Sequence, residues 1–169
     1  MINLNFGKKN FFFYFIFIIS IFLFDRLSKI IIIKKSKEIS SGEIFSSKFI
    51  NIQLVWNDGI AFGLFSFNQE TFYNMLTIII GLIIIVVFWF LLKSKRLEKI
   101  GFAMILGGAL GNIFDRIYYS SVPDFIDLHY NEFHWFIFNI ADVFISLGII
   151  FMIFLELIDN NDTSKVKKI

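Results

Sequence analysis

Four long apolar stretches separated by polar ones set the plan of this chain. The first starts at Phe11, runs to Phe24, meets Asp25-Arg26-Leu27-Ser28-Lys29, and resumes as Ile30 to Ile33. Read as one helix, 11–33 is long enough to cross a bilayer, for which about 20 residues suffice. Further spans are predicted at 71–92, 100–118 and 139–158, and Ile78 to Leu92 is almost wholly apolar. The 34–69 segment is different. Lys34, Lys35, Lys37, Glu38, Ser40, Ser41 and Gly42 make a polar break. Phe49-Ile50-Asn51-Ile52-Gln53-Leu54-Val55-Trp56 then alternates with the period of a strand, and Asn57-Asp58-Gly59 is a turn signal. A small sheet or hairpin over about 43–67 is expected to lie on the membrane surface. Residues 119–137 read as a polar-aromatic loop in which Trp135 is an interface anchor. The fold class is an all-α membrane protein, with four transmembrane helices and a small extracytoplasmic β element between helices 1 and 2. It forms a single membrane domain over 1–169.

Charge orients these spans. With four of them, the start of the chain (Lys8, Lys9), the 93–99 loop (Lys93, Lys95, Arg96, Lys99) and the tail (Lys165, Lys167, Lys168) share one side. Lysine and arginine accumulate on the cytoplasmic side of membrane proteins, so both termini are expected there. The 34–69 segment and the 119–137 loop then face outward. Lys34, Lys35 and Lys37 run against the rule, but Glu38, Glu43 and Asp58 accompany them. The first apolar run also looks like a secretory signal peptide, yet no small-residue cleavage site follows it.

Composition agrees with a membrane setting. Of 169 residues, 57% are hydrophobic, with a mean hydropathy of +0.73, against about 45–50% apolar residues in soluble domains. There is no cysteine, which excludes disulfides, a thiol nucleophile and thiolate metal sites. His129 and His134 fall in the loop between apolar segments and are a weak basis for a metal. No metal and no other cofactor is expected, and chelators should not affect activity.

The informative residues are the polar ones at or inside the apolar stretches, where such groups are costly and point to function. Asp25 and Lys29, four apart, share a helix face, about 20 Å along the helix from Phe11. Asn112, Asp115 and Arg116 lie near the outer end of the third span, Asp124 in the following loop, and Asn139 and Asp142 at the start of the fourth. A bundle of this topology can gather them, with the 57–65 turn, at the outer membrane boundary. Two carboxylates held close in a poorly hydrated place cannot both ionise easily. One then serves as base toward water and the other as acid toward a carbonyl and a leaving amine.

Each residue also has a plainer reading. Asn139 and Asp142 can be the N-cap and first turn of a helix. Asp115 with Arg116 can be an interface ion pair, with Asp115 structural. Asp25 with Lys29 can be a bracing pair within one helix. Asn57-Asp58-Gly59 alone is only a turn, and Gly107 with Gly111 is a spacing that lets helices approach. A proton- or ion-coupled transporter would use membrane carboxylates as relays, but spans two and four offer no charged path inward. A structural subunit would use the polar groups only for helix contacts.

Asp25-x-x-Ser28-Lys29, Asn57-x-Gly59-x-Ala61-Phe62-Gly63, Gly107-Gly108-Ala109-x-Gly111-Asn112-x-x-Asp115-Arg116, Asp124-Phe125 and Phe138-Asn139-x-Ala141-Asp142 follow one another in order. Together they resemble the successive motifs of the lipoprotein signal peptidase (signal peptidase II) family. The resemblance implies a membrane aspartyl endopeptidase that cleaves diacylglyceryl-modified prolipoproteins just before the lipidated lipobox cysteine. It implies Asp124 and Asp142 as the catalytic pair. Asp25, Lys29, Asn57, Asn112, Arg116 and Asn139 then line or support the site, with Asp115 among the supports. The Asn57 turn would cradle the substrate backbone, and Arg116 would meet a substrate carbonyl or a lipid headgroup. A helix N-terminus favours a negative charge, which makes Asp142 the base and Asp124 the acid. Pro123 stands where the family more often has an aliphatic residue, so the loop path there can differ. The implied partners are the prolipoprotein substrate and membrane lipids. No nucleic-acid partner is expected, and the chain is expected to act as a monomer.

Overall fold

The computed structural model describes residues 8–39, 42–59 and 69–166. Its elements in chain order are α1 (Lys8–Glu38), β1 (Glu43–Ser46), β2 (Ile50–Asn57), α2 (Gln69–Lys93), α3 (Arg96–Tyr119), β3 (Val122–Tyr130), β4 (Phe133–Phe138) and α4 (Ile140–Val166). Among the described residues three helical stretches are long and apolar enough to cross a membrane: Tyr73–Lys93, Arg96–Tyr119 and Ile140–Asp159. The expected span 11–33 lies within α1, which is not in that group; its apolar run stops at Phe24 and is followed by Asp25, Arg26 and Lys29.

Helix ends depart from the expected ones for local reasons. α1 continues through Lys34 to Glu38, where a polar break was expected. Lysine and glutamate are good helix formers, and Gly42, at φ +77°, lies between the helix and β1. α4 likewise runs past residue 158 into the polar tail. Between α2 and α3 only Ser94 and Lys95 lie outside a helix. The Glu98 side chain accepts the Lys95 amide there at 3.0 Å, and the Tyr14 hydroxyl donates to the Arg96 carbonyl at 3.0 Å. α3 ends at Ser120 in the left-handed region, φ 56°.

The β structure is larger than the sequence suggested. Residues 122–138, expected as a loop, form a hairpin turning at Asn131 (φ 51°). That hairpin joins β1 and β2 in one antiparallel sheet of order β1-β2-β3-β4. The β element is therefore not confined to the connection between the first two helices. Alternation is hard to see in β3 because Val122, Pro123, Asp124 and Phe125 are all buried. Its pairing with β4 also shifts between Asp127 and His129. The strand arm expected at 60–65 lies outside the described residues.

Helix α3 is the hub and packs against α1, α2 and α4. It can be central because its glycines let neighbours come close. A Cβ on Gly111 would stand 2.5 Å from Asp25 Oδ2 of α1, and one on Gly108 would stand 2.4 Å from the Ala141 carbonyl oxygen of α4. Tyr14, Ile18, Leu91, Ala103 and Leu106 fill the core where α1, α2 and α3 meet. Elsewhere α2 turns large apolar side chains outward, with Ile78 64% and Ile85 65% exposed. This is the pattern of a helix solvated by lipid rather than water.

The close approach at Gly108 is testable against a glycine that lacks it. Gly108→Ala should lower thermal stability in detergent, by about 1–3 kcal/mol as for other overpacked sites. Gly81→Ala meets only Ile113 Cδ1, at 3.5 Å, and should be neutral or stabilising, since alanine favours a helix over glycine by about 1 kcal/mol.

Candidate active site

Two carboxylates lie at the junction of the sheet with the N-terminus of α4, and each is placed by a different device. Asp124 sits on β3 opposite Val55 of β2. Strand residues two apart share a face, so Asn57 is its diagonal neighbour and donates from Nδ2 to Asp124 Oδ2 at 2.8 Å. The Asn57 side-chain Oδ1 accepts the Gly59 backbone amide at 2.8 Å, which fixes the asparagine side chain in its turn. From the other side Asn139, immediately after β4, donates from Nδ2 to Asp124 Oδ1 at 2.6 Å. β4 begins to pair with β3 only at Ile126. Over Val122–Phe125, β3 thus has a neighbour on one side alone. Pro123, which has no N–H, is tolerated there as on an edge strand.

Asp142 is placed by helix capping. The Asn139 amide donates to Asp142 Oδ2 at 3.1 Å and the Asp142 amide donates to Asn139 Oδ1 at 3.1 Å. These reciprocal bonds make a capping box, with Asn139 as N-cap and Asp142 three residues on. The amide between them, Ala141 N–H, donates to Asp25 Oδ1 of α1 at 3.0 Å. Asn112 of α3 completes the arrangement by donating to Asp142 Oδ1 at 2.7 Å.

Behind the carboxylates α1 and α3 share a buried ionic cluster. Lys29 Nζ is fully buried and donates to Asp25 Oδ2 at 2.9 Å, Asn112 Oδ1 at 3.0 Å and Asp115 Oδ2 at 2.7 Å. The Arg26 guanidinium grips both oxygens of Asp115, one through Nη2 at 2.5 Å and the other through Nη1, and reaches Asp25 Oδ2 at 2.9 Å. Two cations thus neutralise two carboxylates, which is the condition for burying them. The chain Lys29–Asn112–Asp142 runs from this cluster to the site.

Every residue singled out from the sequence except Arg116 belongs to this one hydrogen-bonded network through its side chain. Arg116 touches it only through a long bond, 3.4 Å, to the Asn112 carbonyl, and its Nε is buried without a partner among the described residues. The expected Asp115–Arg116 pair does not form. Asp115 turns instead to Arg26 and Lys29 of α1, because on α3 it faces α1 at full burial. Asn57, expected as a cradle for substrate, holds Asp124 directly. Arg26 was missed, although it sits in the same apolar stretch as Asp25 and the argument that selected Asp25 applies to it equally.

The environment of Asp124 is uneven. Burial pushes its carboxyl up to about 6 from 3.8; the amide donors of Asn57 and Asn139 oppose this, the Asp142 charge adds to it, and the Lys29 charge opposes it. An apolar cavity of about 400 Å3 opens beside Asp142, walled by Leu128, Trp135, Phe136, Phe138, Val143 and Leu147.

Comparison with known proteins adds four findings. The family profile described as Signal peptidase (SPase) II matches residues 17–158. The chain is 47% identical over 159 residues to the lipoprotein signal peptidase of Pelagibacter ubique (strain HTCC1062), covering 94% of this chain and 96% of that protein. It is 36% identical over 151 residues to the lipoprotein signal peptidase of Aquifex aeolicus (strain VF5), covering 88% of each. A solved structure described as a bacterial membrane enzyme superposes with a TM-score of 0.70 at 30% identity, covering 88% of this chain and 90% of that one.

The Asp124 environment makes stability depend on pH. Below about 3.8 the carboxyl is protonated folded or unfolded; between 3.8 and about 6 the folded protein keeps a proton that the unfolded chain has released. Raising pH through this window therefore lowers stability, by about 3 kcal/mol in total from this group. Unfolding measured in detergent across the window should show this slope in the wild type. It should be absent from Asp124→Asn.

Proposed function

The chain belongs to the signal peptidase II family, and on that premise we propose that it removes signal peptides from prolipoproteins with Asp124 and Asp142 as its catalytic pair. The observation that carries this reading is Asn139. Its Nδ2 donates to Asp124 at 2.6 Å, its backbone amide donates to the Asp142 carboxylate at 3.1 Å, and its side-chain Oδ1 accepts the Asp142 backbone amide at 3.1 Å. A single residue thereby couples the two acids and the entry to α4. The pair suffices for amide hydrolysis without serine, cysteine or metal.

In the proposed cycle Asp142 is the base. It receives hydrogen bonds from Asn112 Nδ2 and the Asn139 amide, donors that suit a carboxylate. It takes a proton from water as the water oxygen attacks the scissile carbonyl carbon. Asp124, whose carboxyl holds its proton up to about pH 6, protonates the carbonyl oxygen; as the tetrahedral intermediate collapses Asp124 takes a proton back from its hydroxyl, and Asp142 passes the proton gained from water to the departing amine. Arg116, whose buried Nε–H has no partner among the described residues, is suited to a substrate carbonyl or a lipid headgroup. The apolar cavity beside Asp142 supports a substrate that is partly lipid: a diacylglyceryl group on the cysteine after the scissile bond would find apolar walls next to the base.

The membrane placement belongs to the same proposal. α1, at 31 residues, is about 46 Å long at 1.5 Å per residue and serves as the first of four spans in one membrane domain. Both termini and the Lys93–Lys99 turn lie on the cytoplasmic side by their basic residues. The four-stranded sheet and the carboxylates lie at the outer face, where a substrate anchored in the membrane presents its cleavage site. The chain acts as a monomer.

Asp124→Asn and Asp142→Asn should each reduce cleavage of a diacylglyceryl prolipoprotein by about 10²–10⁴-fold, the scale of a lost general acid or base, with folding retained by thermal melting. Activity within tenfold of wild type in either folded variant would remove that residue from the pair. Arg116→Lys replaces a forked donor with a point charge and should lower turnover about tenfold; an unchanged rate would deny Arg116 a specific contact.

A further inference from the structure

We propose that Asp127, His129 and His134 form a binding site for one divalent transition-metal ion, zinc by ligand type, on the β3–β4 hairpin. The three residues take no part in the network around Asp124 and Asp142. His129 and His134 are direct cross-strand partners, and their rings stand 5.1 Å apart at 23°. Asp127 precedes His129 by two on the same strand and meets His134 Nδ1 through Oδ2 at 2.8 Å. One potential ligand atom from each residue lies within 4.8 Å of the others.

A hydrogen-bonded Asp–His pair with a neighbouring histidine is the plainer reading, and it leaves two atoms unexplained. Asp127 is 1% exposed, yet among the described residues its Oδ1 has no hydrogen-bond partner, and neither does the buried Nδ1 of His129. A buried carboxylate oxygen without a donor is unfavourable, and the same three-residue cluster holds an imidazole nitrogen in the same state. A cation held by the cluster would give each of them a partner. Two imidazoles and a carboxylate are a donor set that zinc accepts, with three protein ligands and a fourth position left for water. Copper and nickel tolerate the same nitrogens. Ligands around a tetrahedral zinc stand about 3.3 Å from one another. The set can contract to that spacing because the His134 side chain is 55% exposed, so it can exchange its bond to Asp127 for the ion without disturbing the core.

The position gives the ion a consequence. It would clip β3 to β4 where their register shifts, between Asp127 and His129. Asp127 lies three residues from Asp124 on the same strand. The ion is therefore a brace for the strand that carries Asp124, and the hydrolytic step itself needs no metal.

The test uses the full-length protein in detergent, purified without a polyhistidine tag, stripped with EDTA and then freed of it. Titration calorimetry with Zn2+ should give one ion per chain, with affinity at least about 100-fold weaker in His129→Gln and in His134→Gln. The melting temperature should rise with Zn2+ in the wild type and not in these variants. Asp127→Asn should lose the ion as well. If burial makes that variant misfold, His134→Gln, altered at a half-exposed side chain, decides alone. Absence of stoichiometric Zn2+ binding, or binding of equal affinity in folded His134→Gln, overturns the proposal.

Discussion

Charge neutrality inside an apolar bundle is the constraint on which the rest of this structure depends. Asp25, Arg26, Lys29 and Asp115 are all buried between α1 and α3, where an uncompensated charge would be prohibitive. Two positive and two negative groups, joined by direct hydrogen bonds across the interface, meet that requirement in this relative placement of the two helices. Loss of one partner from such a cluster leaves the others unpaired. That is why breaking buried ion pairs costs about 3–5 kcal/mol even where the intact pair adds little. The cluster thus specifies geometry more than it supplies stability.

Two hydrogen bonds carry that geometry outward. Asp25 accepts the Ala141 amide in the first turn of α4, and Lys29 orients Asn112, whose other end holds Asp142. The absence of a side chain at Gly111 is what lets Asp25 come so near α3. A helix N-terminus leaves several amides without intrahelical partners. Here Asn139, Asp142 and Asp25 take them up, so the groups that cap α4 include a member of the proposed catalytic pair.

The sheet contributes the other carboxylate and sets its environment. Asp124 stands on the one-sided stretch of β3, braced by Asn57 from β2 and by Asn139 from the end of β4. Both asparagines donate only N–H groups to it, which favours its ionised form, while burial and the neighbouring Asp142 favour the protonated one. The balance leaves the carboxyl near the range in which an acid can both hold and release a proton.

The linear pattern alone was enough for the helices, the strand leading to Asn57 and the capping role of Asn139 and Asp142. Period, apolar length and capping chemistry are local properties, and polar residues in apolar stretches are conspicuous wherever they fall. Tertiary structure decided what is non-local. It made residues 122–138 a hairpin of the same sheet as β2, hidden locally because β3 is buried on both faces over 122–125 and β4 is exposed along most of its length, so neither strand alternates. It gave Asp115 to Arg26 and Lys29 rather than to adjacent Arg116, since a helix turns consecutive residues to different faces and partners are chosen across the interface. And it brought Asn57, Asp124 and Asn139 together through strand register, a relation between distant segments that no window along the chain contains.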